Sequence, residues 1–108
     1  MKELVFEMLN PVGRWGRLHG DYLKERYPSQ YNDLLSSNEL WNYLNNIDRS
    51  AQIRYELLVE QLKESIGITE ETRNQNHNEW MRKMNSVRMV AEETVMHELI
   101  FQSKNQNT

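Results

Sequence analysis

From Glu39 to Ile66 apolar residues recur at Leu40, Leu44, Ile47, Ala51, Tyr55, Leu58, Leu62 and Ile66, with spacings of 4, 3, 4, 4, 3, 4 and 4. A period near 3.6 held over that length specifies an amphipathic α-helix and is incompatible with a strand, whose side chains alternate. The predicted helix starts behind Ser36-Ser37-Asn38-Glu39, a capping-box signature. It stops at Gly67, where a left-handed residue is required, and apolar Ile68 follows, placed to fold back on the last turn.

The next segment opens with Thr69-Glu70-Glu71, an N-cap candidate with two acids where the helix dipole favours negative charge. Its stripe of Trp80, Met84, Val87, Ala91 and Val95, flanked by Met81 and Leu99, predicts one helix continuing to about Phe101. A connection as short as Gly67-Ile68-Thr69 sends the second helix back along the first, so the sequence predicts a long antiparallel helical hairpin. At 1.5 Å per residue each arm spans about 40–50 Å, which predicts an elongated molecule.

Glycine and proline are otherwise scarce, with four and two in 108 residues, and the remainder sit between Pro11 and Pro28. A short helix is expected over Arg17–Tyr27, with Trp15, Leu18 and Tyr22 on one side. A second has Pro28 at its first position and Leu34-Leu35 turned inward. The expected architecture is all-α: one helical domain over 1–108, with short N-terminal helices over 1–37 packed on a hairpin over 38–102, and a frayed polar tail over 103–108. The first ten residues are apolar enough for a strand or a helical turn, and both remain open.

Both arms carry a second apolar stripe: Tyr43, Ile53 and Leu57 on one, and Met89, Val90, Met96, Ile100 and Phe101 on the other. The N-terminal helices, a second copy in a homodimer, or a different protein would cover it. Clustered methionines, Met89 and Met96 among them, are usually adaptable core but also suit protein recognition.

The chemistry this chain can host is narrow. With no cysteine it has no disulfide framework, Cys-based zinc site or thiol nucleophile, which fits a reducing cytoplasm. It has no Walker loop, G-x-G-x-x-G, G-x-S-x-G or H-E-x-x-H motif. Glu93, His97 and Glu98 are the tightest acid–histidine grouping, with His19 and His77 on other segments, and solvated or hydrogen-bonded histidines are the expectation. No enzyme, metal or cofactor is expected. No run reaches the roughly 18 apolar residues of a membrane span, and MKELVFEMLN carries acids where a signal peptide carries bases.

With 13 basic and 16 acidic residues the chain has a net charge of −3, so nucleic-acid binding would need a local patch. Arg14, Trp15, Arg17, Lys24 and Arg26 form one: Asn10–Tyr27 holds four bases against two acids, with aromatics interleaved. The alternative, which we favour, packs Trp15 on the hairpin and lets the arginines neutralise its acidic flank. As a helix-turn-helix the pair fails, because the would-be reading helix Pro-Ser-Gln-Tyr-Asn-Asp-Leu-Leu-Ser has no base and Asp33 would face phosphate. Arg88, at the edge of the main apolar face, is expected to pair with Asp48 or Glu60.

The run Gly13-Arg-Trp-Gly-Arg-Leu with Tyr22-Leu-Lys-Glu, then Tyr31 to Leu35, and above all Glu79-Trp-Met-Arg-Lys-Met-Asn-Ser-Val-Arg with Ala91-Glu-Glu-Thr-Val and His97-Glu-Leu-Ile, resemble the TnpV family of small transposon-encoded proteins of Gram-positive mobile elements. The resemblance covers roughly Val12 to Phe101 and departs at the N-terminus, where members often carry a longer lead-in. It implies a gene on a mobile element and a bacterial cytoplasm, and brings no catalytic residues.

Two functions of different class follow as expectations. In the first, the protein binds a host or element-encoded protein, for example inhibiting a defence nuclease in the manner of anti-CRISPR proteins. It would do so through the acidic flank Glu56, Glu60, Glu64, Glu92 and Glu93 or through Met89 and Met96. In the second, it binds DNA through Arg14–Arg26 as an accessory or regulator of transposon excision.

Overall fold

A computed structural model of the chain describes residues 12–102. Within them every regular element is helical: α1 (Arg14–Arg26), α2 (Pro28–Ser36), α3 (Leu40–Ile66), α4 (Glu70–Gln75), α5 (His77–Val95) and a π-helical turn (Met96–Ile100). The expectations for the first ten residues and for the tail over 103–108 lie outside this range. The shape is elongated, 55 × 34 × 19 Å with a radius of gyration of 17.4 Å, where a compact chain of 100 residues has about 13 Å.

The ends of α3 show which local signals prevailed. At its C-terminus Gly67 adopts φ 73, the Gly67 amide donates to Glu64 O and the Ile68 amide to Lys63 O, a Schellman closure as expected. Ile68 is buried beside Met84 and Val87, and it takes the inward place that the periodicity gave to Ile66, which is 46 % exposed. Gly67→Ala is expected to cost about 1 kcal/mol, because the added methyl meets no neighbour and only the left-handed backbone resists it. A fall in melting temperature of about 5 °C in a thermal scan checks this.

At the other end the predicted capping box does not form. Ser36 and Ser37 instead close α2: the Ser37 hydroxyl donates to Leu34 O, and Asn38 takes the left-handed conformation at φ 62. The Asn38 amide donates to Leu35 O and the Glu39 amide to Leu34 O, the same closure that Gly67 makes. Asparagine tolerates that backbone better than most residues that carry a side chain. Helix α3 then begins behind Glu39 with no side-chain cap.

The segment after Thr69 is not one helix. Thr69 caps α4 in a reciprocal bond pair with Thr72, but Asn76 is extended and its side chain accepts from the Glu79 amide, which starts α5 afresh. Asn74, Gln75, Asn76 and Asn78 crowd this point, and asparagine competes for backbone bonds rather than prolonging a helix. At the far end the Phe101 amide donates to Met96 O, which widens the last turn to a π-turn.

Three apolar clusters hold these pieces. Leu23, Tyr31, Leu34, Leu40 and Leu44 join α1 and α2 to the start of α3. Trp15, Ala51, Val95 and Ile100 join α1, the middle of α3 and the π-turn, with Leu18, Ile47, Tyr55 and Leu99 packed around them. Met84, Val87 and Ile68 meet Val59, Leu62 and Trp80 at the other end of α3. The α3 and α5 stripes are therefore the inward faces, while Met81 remains 46 % exposed.

Candidate interaction surfaces

Helix α1 lies close against α3 because glycine lines the contact. A Cβ on Gly16 would stand 2.7 Å from Leu44 O, so the two backbones touch where any side chain would obstruct them. The N-cap residue Gly13 contributes no side-chain bond. The Gly16 amide donates instead to Asp48 Oδ1 of α3 at 3.0 Å, so one helix caps another. Asp48 is thereby turned toward α1, and Glu60 pairs with Lys63 at 3.6 Å, so neither is the ion-pair partner expected for Arg88.

The basic segment is bound up in this contact. Trp15 is 2 % exposed, and its indole N–H donates to Gln52 Oε1 at 2.9 Å, so it is core and presents no face on which a base could stack. Arg14 pairs with Glu92 at 3.0 Å and its guanidinium lies 4.2 Å from the Trp15 ring centroid. The ammonium of Lys24 lies 5.4 Å from the Tyr31 ring centroid. Arg17 and Arg26 are exposed. Of the two short helices, α2 turns Tyr31 and Leu34 into the core.

The acidic flank is partly engaged. Gln52 Nε2 donates to Glu56 at 2.8 Å, while Glu60 and Glu92 hold the ion pairs already described. Glu64 and Glu93 are exposed. Arg54 forks onto Glu98 with bonds of 2.9 and 3.3 Å, which ties the π-turn to α3 and holds the Glu98 carboxyl below its ordinary range.

The second apolar stripe divides. Ile100 is buried and Met96 half-buried, whereas Ile53 is 68 %, Leu57 48 %, Met89 59 %, Val90 47 % and Phe101 47 % exposed. At 100° per residue, Ile53 and Leu57 face away from the α3 stripe that meets α5, and Met89 faces away from the α5 stripe that meets α3. They belong to two separate surfaces.

His19, which the sequence offers only as an isolated histidine, lies at the junction of three elements. It is 1 % exposed, with Nδ1 2.6 Å from Ile100 O and Nε2 3.0 Å from the Tyr43 hydroxyl. A carbonyl only accepts, so Nδ1 carries the proton and Nε2 accepts from Tyr43. Burial lowers the His19 pKa, opposed in part by the Ile100 bond, and burial raises that of Tyr43. Tyr22 packs its ring on His19, Tyr27 and Phe101. The signal in sequence was faint: His19 is four residues from both Trp15 and Leu23, on their helix face.

Among the described residues no three of His, Cys, Asp or Glu gather as metal ligands, and no helix is long and apolar enough to cross a membrane. Neither a curated protein nor a solved structure matches the chain. A sequence model described as transposon-encoded protein TnpV matches residues 4–100 and so includes N-terminal residues where the resemblance had departed. With that span matched, the chain belongs to the TnpV family of transposon-encoded proteins.

Proposed function

We propose that the chain is a non-catalytic accessory protein of a mobile element that works in the bacterial cytoplasm by binding another protein. We read α3 and α5 as the arms of a long antiparallel hairpin on which the short N-terminal helices pack. The observation that carries the function is the outward face of α3. Ile53 and Leu57 stand 68 % and 48 % exposed there, and Glu56, Glu60 and Glu64 follow the same side of the helix. An apolar pair set among acids fits a partner with an apolar groove and a basic rim, as nucleic-acid enzymes carry. Nothing in the arrangement favours a defence nuclease over another such protein.

Ile53→Asp with Leu57→Asp is expected to abolish capture of that partner from host lysate or from the element's own proteins at physiological salt. Helical circular dichroism should be unchanged, since neither side chain belongs to any of the three apolar clusters. Reversal of Glu56 and Glu60 to Lys should have the same effect. Undiminished capture by both variants would reject this face. Salt-sensitive retention of element-end DNA, lost with Arg17→Ala and Arg26→Ala, would favour the excision-regulator reading.

A further inference from the structure

We infer that the outward face of α5 is the contact between two copies of this chain, joined antiparallel about a two-fold axis that passes between Ser86 and Met89. Steps of 4, 3 and 4 residues place Arg82, Ser86, Met89 and Glu93 on one stripe. That stripe lies half a turn from the buried Met84, Val87, Ala91 and Val95. All four are exposed, Met89 at 59 %, and Val90 borders them at 47 %.

The charge order along the stripe selects the occupant. Its N-terminal end carries Arg82 and its C-terminal end Glu93, and neither forms an ion pair with a described residue. A parallel copy would set like charge on like. An antiparallel copy sets Arg82 against Glu93 of the second copy, twice over by symmetry. The same register seats Met89 against Ser86 of the second copy, a long flexible side chain over a small one, again twice. The outward face of α3 is less self-complementary, because it carries the three acids Glu56, Glu60 and Glu64 against the single base Arg49, and a second copy docked there would leave an acidic excess on both sides. The two surfaces are therefore distinct: the copy on α5 leaves Ile53 and Leu57 open to a different partner. A single helix face is smaller than the ~1,200 Å² of a standard interface, so the dimer is weak, in the micromolar to millimolar range.

Sedimentation equilibrium of the full chain from micromolar to millimolar concentration tests this. The wild type should show concentration-dependent dimerisation that weakens with salt. Arg82→Glu and Glu93→Arg should each raise the dissociation constant at least about tenfold, and the double variant, which restores opposite charges with their signs exchanged, should return it toward the wild-type value. Circular dichroism reports the fold of each variant, and all sites are exposed. A wild type that stays monomeric at millimolar concentration overturns the inference, and so does a double variant no tighter than the singles. Neither result bears on the α3 face, which is read by partner capture alone.

Discussion

Gly16→Ala should destabilise the fold by about 3 kcal/mol, although alanine is the better helix former by about 1 kcal/mol. The added carbon would meet Leu44 O at 2.7 Å and Asp48 Cβ at 3.2 Å. A backbone carbonyl inside α3 has nowhere to move, so α1 as a whole must back away. Retreat lengthens the Gly16 to Asp48 bond of 3.0 Å that caps α1 and loosens Trp15 and Leu23 in two of the three clusters. Gly20→Ala, one turn on, is the matched control, because its added carbon meets only the Leu44 side chain, Cδ1 at 3.1 Å and Cδ2 at 3.6 Å. A rotamer adjustment relieves that contact, so Gly20→Ala should lie within about 1 kcal/mol of the wild type. Thermal scans of the two variants check the contrast: a drop of more than about 10 °C for Gly16→Ala and a few degrees for Gly20→Ala. Equal melting temperatures would show that the helices separate without cost.

Removal of the His19 imidazole has a comparable effect with a signature in pH. His19→Ala empties a fully buried site and strands Ile100 O and the Tyr43 hydroxyl, a loss of about 3 kcal/mol at pH 8. His19→Asn keeps a donor near the Nδ1 position and should recover part of it. The wild type binds a proton at His19 less readily folded than unfolded, where the ordinary value is 6.5. Above that value His19 is neutral in both states and contributes no pH dependence. As pH falls below 6.5 the unfolded chain takes up the proton first, so stability declines, by up to about 1.4 kcal/mol per pH unit until the lowered folded value is reached. Below both values the loss is complete and constant. Urea unfolding at several pH values should show this decline in the wild type and not in His19→Asn, so that the difference between the two curves carries it. Parallel profiles for the two proteins would rule out His19 as its source.

What the sequence disclosed and what it withheld divide along a physical line. The α3 and α5 stripes were legible because a helix repeats its inward face every 3.6 residues, and Leu44, Ala51, Val87 and Ala91 all lie inward as that period requires. Gly67 and Thr69 were legible because their roles depend on their own backbone and near neighbours. Ser36-Ser37 misled for the complementary reason: two serines between helices can close one or open the next, and Asn38, in the left-handed conformation, decided for closure. Asn76 broke a helix that apolar spacing alone would have continued, because α4 buries no residue that could outweigh the preference of its asparagines. The Asp48 cap and the His19 junction were illegible in principle, since each joins residues far apart in sequence, 32 and 81 positions for the Gly16–Asp48 and His19–Ile100 bonds. At the surfaces, periodicity marked Ile53, Leu57 and Met89 as outward, but only packing separated them from Ile100 and Met96.

The division of the apolar core into three clusters has a consequence for motion. Most native chains of this size open as a unit because one core links every element. Here the end of the molecule that carries Gly67 rests on the cluster with the fewest buried residues, Ile68, Met84 and Val87 with Val59, Leu62 and Trp80 around them, and among the described residues α4 leans only on α5 without burying a residue. That end can come apart and close again while Trp15, Ala51 and Val95 stay packed. Amide protons of α4 are therefore expected to exchange with solvent long before those beside Ala51, with the fold opening first at the Gly67 end.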